Sequence, residues 1–162
     1  MKSIHFMCAG GTIDKIYFDA KSDYQIGEPA VVQMLDEMPV HFDYLVSSVL
    51  KKDSLEMDDD DRQKILEAVK NCQQERIIIT HGTDTMTNTA RVLAHVTGKT
   101  IVLTGAMAPA IFRDTDALFN VGCAISAVQV LQEGVYIAMN GEVFDALNVC
   151  KDVDNERFVR LN

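Results

Sequence analysis

Two kinds of apolar spacing alternate along the chain. Arg76-Ile77-Ile78-Ile79-Thr80 and Thr100-Ile101-Val102-Leu103-Thr104 are short, rich in β-branched residues and apolar at their centres, as strands covered on both faces of a parallel sheet should be. Between such runs lie amphipathic stretches. Ile65, Leu66, Val69 and Cys72 recur at helical spacing and give one face to bury. The pattern predicts strands near 3–8, 44–50, 76–80, 100–104 and 135–139, and helices over 29–38, 59–74, 84–96 and 115–132. Pro29 suits a first helical position, and Gly98 and Gly134 suit C-terminal stops. Strand and helix alternating in this way predict a three-layer α/β domain with a mostly parallel central sheet. No repeat, linker or low-complexity segment interrupts residues 1–162, so the expectation is a single domain.

Composition narrows the function classes. A formal charge of −9 over 162 residues disfavours nucleic acid and anionic membrane as partners. Part of that charge is the run Asp58-Asp59-Asp60-Asp61, which reads as a helix N-terminus rather than a cation site. The first residues lack the pattern of a signal peptide, and no stretch reaches the ~20 apolar residues of a membrane span. The four cysteines, Cys8, Cys72, Cys123 and Cys150, are scattered. Reduced thiols in a cytoplasmic protein are therefore expected. No histidine pair has metal-ligand spacing, so no metal is expected.

In an open sheet of flavodoxin or Rossmann type, ligands bind beyond the carboxyl ends of the strands. Three such ends carry small polar residues: Cys8-Ala9-Gly10-Gly11-Thr12-Ile13-Asp14, Thr80-His81-Gly82-Thr83-Asp84-Thr85-Met86, and Thr104-Gly105-Ala106-Met107-Ala108-Pro109. Glycines there let backbone N–H groups approach a ligand closely. The middle segment packs hydroxyls around one carboxylate, which serves no evident packing purpose and points to ligand binding or catalysis. Singly, each residue has a plainer reading. Thr12 and Thr83 also suit turns beside glycine, Tyr24 suits a half-buried surface ring, and Lys151 suits a solvated charge. His81, following a strand, reads as a hydrogen-bonded core histidine.

Gly10-Gly11-Thr12-Ile13 and Thr80-His81-Gly82-Thr83-Asp84-Thr85-Met86 resemble the two signatures of the bacterial-type L-asparaginase family. Lys21-Ser22-Asp23-Tyr24-Gln25-Ile26-Gly27, Asp53-Ser54-Leu55-Glu56-Met57, Gly105-Ala106-Met107 with Asp116 to Asn120, and Met139-Asn140 to Lys151 are similar to further family segments, in order. The resemblance implies that Thr12 is the nucleophile of an acyl-enzyme mechanism, assisted by Tyr24 from a mobile loop and by Thr83, Asp84 and Lys151. It further implies that Gly11, Ser54, Leu55, Gly82, Thr83, Asp84 and Ala106 bind the substrate, with Asp84 on its α-ammonium and Ser54 on its α-carboxylate. No cofactor is implied. The expected substrate is L-asparagine or a related amide, and the expected assembly is a homodimer or higher homo-oligomer.

The resemblance covers the family's N-terminal catalytic domain, and the smaller C-terminal domain has no counterpart in 1–162. Leu55 departs from the family by placing an apolar residue where a polar one is common, which suits a larger or more apolar amide. Ala108 stands where arginine is frequent in secreted members. Two other function classes remain from sequence: an amino-acid-binding module without efficient turnover, and an ammonia-releasing subunit of an amidotransferase.

Overall fold

The computed structural model describes residues 2–161. The chain opens with β1 (Ile4–Gly10), continues through a hairpin of β2 (Lys15–Phe18) and β3 (Asp23–Ile26), and enters α1 (Ala30–Glu37). Then follow β4 (Tyr44–Lys52), α2 (Asp59–Asn71), β5 (Arg76–Thr80), α3 (Met86–Leu93), β6 (Thr100–Thr104) and α4 (Ala117–Val130). The remainder is strand: β7 (Gly134–Met139), β8 (Glu142–Asp145), β9 (Val149–Asp152) and β10 (Arg157–Arg160).

The central sheet has the order β4-β1-β5-β6-β7-β8. All its pairings are parallel except β7 with β8. Alternate residues of each strand feed two cores. Met7, Ile77, Ile79, Ile101 and Leu103 meet Ile65 and Val69 of α2 and Met86, Ala90 and Leu93 of α3. Phe6, Ile78 and Val102 meet Val31 and Leu35 of α1 and Val121, Ala124 and Val128 of α4. That two-sided burial is why the central strands β5 and β6 show no alternation of apolar and polar positions. The three-layer architecture is the expected one, and the five parallel strands follow the flavodoxin order, with the crossover reversing direction between β1 and β5.

Helix ends depart from the predicted ones for local reasons. Pro29 is the N-cap of α1 rather than its first residue, and the Ala30 N–H donates to Asp14 Oδ1 at 2.8 Å. The acidic run does start a helix: Asp58 and Asp61 form a reciprocal capping box, and Asp61 also accepts from Lys52 Nζ at 2.8 Å. α2 stops at Asn71 because Cys72 turns extended. α3 is capped at Ala94 and α4 at Leu131, so neither Gly98 nor Gly134 is the stop. The β2–β3 hairpin and the β9–β10 ribbon have no counterpart among the predicted elements. Both are short antiparallel pairs outside the main sheet.

Candidate active site

The loops that follow β1 and β5 meet backbone to backbone at the sheet's reversal point. Gly11 has φ +87°, and a Cβ there would lie 2.4 Å from the Gly82 nitrogen. A side chain larger than hydrogen is excluded at both counts. Behind this seam, a Cβ on Gly82 would come within 2.7 Å of Ser54 Oγ. Thr12 and Thr83 each follow one of these glycines, so the two hydroxyl-bearing residues stand on abutting loops. Thr12 begins a short 3-10 turn and is partly exposed, whereas Thr83 is buried.

Lys151 reaches this junction from β9. Its Nζ donates to Thr83 Oγ1 at 2.8 Å and to Asp84 Oδ1 at 2.7 Å. The lysine side chain is 11% exposed and the Asp84 side chain 38%. The ammonium is thus largely withdrawn from water while the carboxylate still faces it. Because Thr83 Oγ1 accepts from the ammonium, its own proton is free to be donated elsewhere. Lys151 is held in place by its ribbon, in which it pairs with Phe158, a core residue.

Neighbouring polar groups fix the loop backbones. His81 Nδ1 lies 2.7 Å from the Gly82 carbonyl and Nε2 lies 2.8 Å from Thr89 Oγ1. Burial lowers its pKa to about 4, so the imidazole is neutral and spends both nitrogens on holding the loop. It is a core histidine, as expected. The third loop is tied by Asp116, which accepts from the N–H groups of Met107 and Ala108, and by Asn120 Nδ2, which donates to the Gly105 carbonyl at 2.9 Å. Ala106 is consequently buried at the edge of the site.

The structure does not draw every expected residue into this cluster. Tyr24 lies on β3, 44% exposed, with its ring packed against Tyr17 and Phe112 at centroid distances of 5.4 and 5.8 Å. It flanks a cleft of about 320 Å³ shared with Lys15, Asp53 and Glu56. Ser54 is buried beneath the second loop, where its Oγ accepts from the Thr85 N–H at 3.1 Å. Leu55, by contrast, is 72% exposed.

Asp14 is a positioning group with little sequence signal beyond a carboxylate two places after Thr12. It anchors the hairpin at its base: its carbonyl accepts from the Gly27 N–H at 2.8 Å and its side chain caps α1. Burial is the main cause that raises its pKa to about 7, opposed by the Ala30 N–H and Lys51. A carboxyl held neutral in the fold but ionised when unfolded costs stability as pH rises from about 4 to about 7, on the order of 4 kcal/mol once complete. His81, neutral in the fold, contributes the opposite slope over nearly the same range, between about 4 and about 6.5. Comparing Asp14→Asn with the parent by urea unfolding isolates the first effect, since an amide oxygen still accepts from Ala30. The stability advantage of the variant is expected to grow from pH 4 to pH 7 and then level off. An advantage independent of pH would remove the buried-acid assignment.

The flavodoxin-order sheet thus places Thr12 and the Thr83–Asp84 pair on abutting loops at its reversal point, with Lys151 bonded to both members of that pair. Residues 3–158 match the family model described as asparaginase, N-terminal, and the chain belongs to the asparaginase family. It is 30% identical over 162 residues to the probable periplasmic L-asparaginase of Haemophilus influenzae, covering 93% of this chain and 46% of that protein. It is 35% identical over 97 residues to the glutaminase-asparaginase of Acinetobacter glutaminasificans, covering 57% of this chain and 29% of that one. A glutamyl-tRNA(Gln) amidotransferase component of Methanococcus vannielii is 37% identical over 87 residues, covering 52% of this chain and 20% of its own length. Among solved structures, the thermostable L-asparaginase from Thermococcus kodakarensis superposes with a TM-score of 0.87 at 24% identity, covering 99% of this chain and 51% of that one. The chain thus spans about half the length of the relatives it matches end to end. Among the described residues, no helix is long and apolar enough to cross a membrane, and no cluster of His, Cys, Asp or Glu could hold a metal ion.

Proposed function

We propose that this chain carries the catalytic machinery of an amidohydrolase that cleaves the side-chain amide of L-asparagine or a close relative. The observation that carries the reading is the bridge from Lys151 Nζ to Thr83 Oγ1 and Asp84 Oδ1, on the loop that abuts Thr12. Thr12 Oγ attacks the amide carbon, the backbone N–H groups at the seam serve the oxyanion, and the Thr12 proton passes to the departing nitrogen. Ammonia leaves and an ester on Thr12 remains. Water, ordered by Thr83 and Lys151, then adds to that ester, releasing the acid and restoring the hydroxyl. Tyr24 assists from the hairpin, which must bring its phenol toward Thr12. Asp84, still open to water, takes the α-ammonium group, and Gly11, Gly82 and Ala106 shape the floor. Ser54 contributes its remaining hydroxyl proton to the α-carboxylate.

A second reading, a bulkier amide donor, is favoured by the exposed Leu55 in place of a polar contact. The similarity to an amidotransferase component supports it as well.

The working form is a cytoplasmic homo-oligomer. Helix α4 has no charged residue, and its exposed Leu118, Phe119 and Val130 border an apolar groove of about 520 Å³. Such a patch suits self-association, although the net charge of −9 works against it.

The test is to incubate the protein with L-asparagine and, separately, L-glutamine, and to measure ammonia and the product acid. Equal amounts of both are expected with asparagine. Calorimetric binding of asparagine without ammonia release would replace the enzyme with an amino-acid-binding module.

A further inference from the structure

At the opposite end of the sheet from Thr12, a thiol, an imidazole and a hydroxyl form a chain of contacts that the amidase reading leaves unused. His5, near the start of β1, places Nδ1 3.2 Å from Cys72 Sγ and Nε2 2.8 Å from Ser47 Oγ of β4. Gln74 Oε1 lies 3.2 Å from the same sulfur. A nucleophile within reach of a base whose other nitrogen is oriented by a third group is the arrangement that activates a cysteine. The side chains are half-buried rather than enclosed. Gln74 also lines a cleft of about 300 Å³, bounded further by Lys2, Ser3, Gln73 and Glu75, so a small molecule has room to approach.

Two effects on the thiolate oppose each other. Cys72 caps the C-terminus of α2, where the helix dipole disfavours an anion. Lys99 offsets this, because its Nζ donates to the Cys72 carbonyl at 2.7 Å and to the Gln74 carbonyl at 2.8 Å. His5 supplies the decisive step. Burial holds its pKa below the ordinary histidine value, Gln74 opposing and Lys99 reinforcing. In the tautomer that donates Nε2–H to Ser47, Nδ1 is an acceptor for the thiol proton, in competition with Gln74 Oε1.

We propose that Cys72 is a redox-responsive thiol, activated by His5, that exchanges with low-molecular-weight disulfides. Cys72 S–H gives its proton to His5 Nδ1, and the thiolate attacks one sulfur of R–S–S–R. A Cys72–S–S–R bond forms as the R–S–S–R bond breaks, and the departing R–S⁻ takes the proton back from His5. The cysteine is oxidised and the small disulfide is the oxidant, so the step balances without a further reagent. The other thiols lack this arrangement. Cys8 is buried and its pKa is pushed up to about 12, and neither Cys123 nor Cys150 has a histidine hydrogen-bond partner among the described residues.

The test uses the full chain with oxidised glutathione at neutral pH, with peptide mapping to follow the mixed disulfide at each cysteine, folded and in urea. Folded Cys72 is expected to react about tenfold faster than the same cysteine in the unfolded chain, as for a thiol beside a positioned proton acceptor. His5→Gln should abolish that excess, and Ser47→Ala should reduce it by a few-fold while leaving Cys150 unchanged. The proposal is overturned if folded Cys72 reacts no faster than the unfolded chain, or if both variants keep the full excess. Should His5→Gln fail to fold, the folded-to-unfolded ratio and Ser47→Ala decide. Neither variant touches the amidase cluster, so the outcome is independent of that reading.

Discussion

Thr12→Ala is expected to reduce ammonia release from asparagine by on the order of 10⁴-fold or more, because it removes the atom to which the acyl group must be attached. The loss should fall on kcat and leave substrate binding close to that of the parent. In the proposed mechanism Asp84 and Ser54 hold the two charged ends of the amino acid, and neither depends on the Thr12 hydroxyl. Stability should change by about 0.5 kcal/mol or less, since the side chain is partly exposed and stands at the rim of the seam. The junction itself depends on Gly11, which is untouched. Steady-state kinetics beside a thermal melt separates the outcomes. Turnover within tenfold of the parent in a well-folded Thr12→Ala protein would move the nucleophile elsewhere, and Thr83 would become the candidate to replace next. Thr12→Ser, which keeps a hydroxyl and loses only a methyl group, should retain measurable turnover.

What is legible in the sequence follows from what fixes each part. The parallel strands are legible because burial on both faces leaves a run such as Ile77-Ile78-Ile79 no alternative. The switch-point loops are legible because Gly11 and Gly82 have no substitutes where two backbones touch. The hairpin is not. Ile16, Tyr17, Phe18 and Tyr24 are all over 40% exposed, so no burial pattern announces β2 and β3 on either side of the turn at Asp19–Lys21. The β9–β10 ribbon is hidden likewise, since it is stapled to the core through little more than Val149 and Phe158. Lys151 is therefore placed by family likeness, while its strand and its reach to Thr83 need coordinates. Positioning groups are the least visible. Asp14, His81, Asp116 and Asn120 act by holding backbone groups that are close only in the folded chain.

The lysine offers the sharper separation of chemistry from folding. Lys151→Met keeps most of the length and the apolar stem of the side chain and removes the ammonium. Its ion pair with Asp84 involves a carboxylate that is 38% exposed, so water can replace the lysine, and the stability lost is expected to be about 1 kcal/mol or less. Thr83 is different, because it is buried and the ammonium is the donor that polarises its hydroxyl. Turnover is accordingly expected to fall by roughly 10²- to 10⁴-fold, the range that a positioned proton-transfer group supplies. If Lys151 serves the second half-reaction through Thr83, the slowed variant should accumulate the ester on Thr12. Intact-mass measurement after mixing with asparagine would then show the protein carrying an aspartyl group, and Thr12→Ala made in the same background would erase that adduct. Lys151→Arg should not rescue, since a planar guanidinium cannot occupy the same point between Thr83 Oγ1 and Asp84 Oδ1. Near-parental turnover in Lys151→Met would reduce the bridge to a structural tie between β9 and the second loop, and the amide-cleaving assignment would lose its main geometric support.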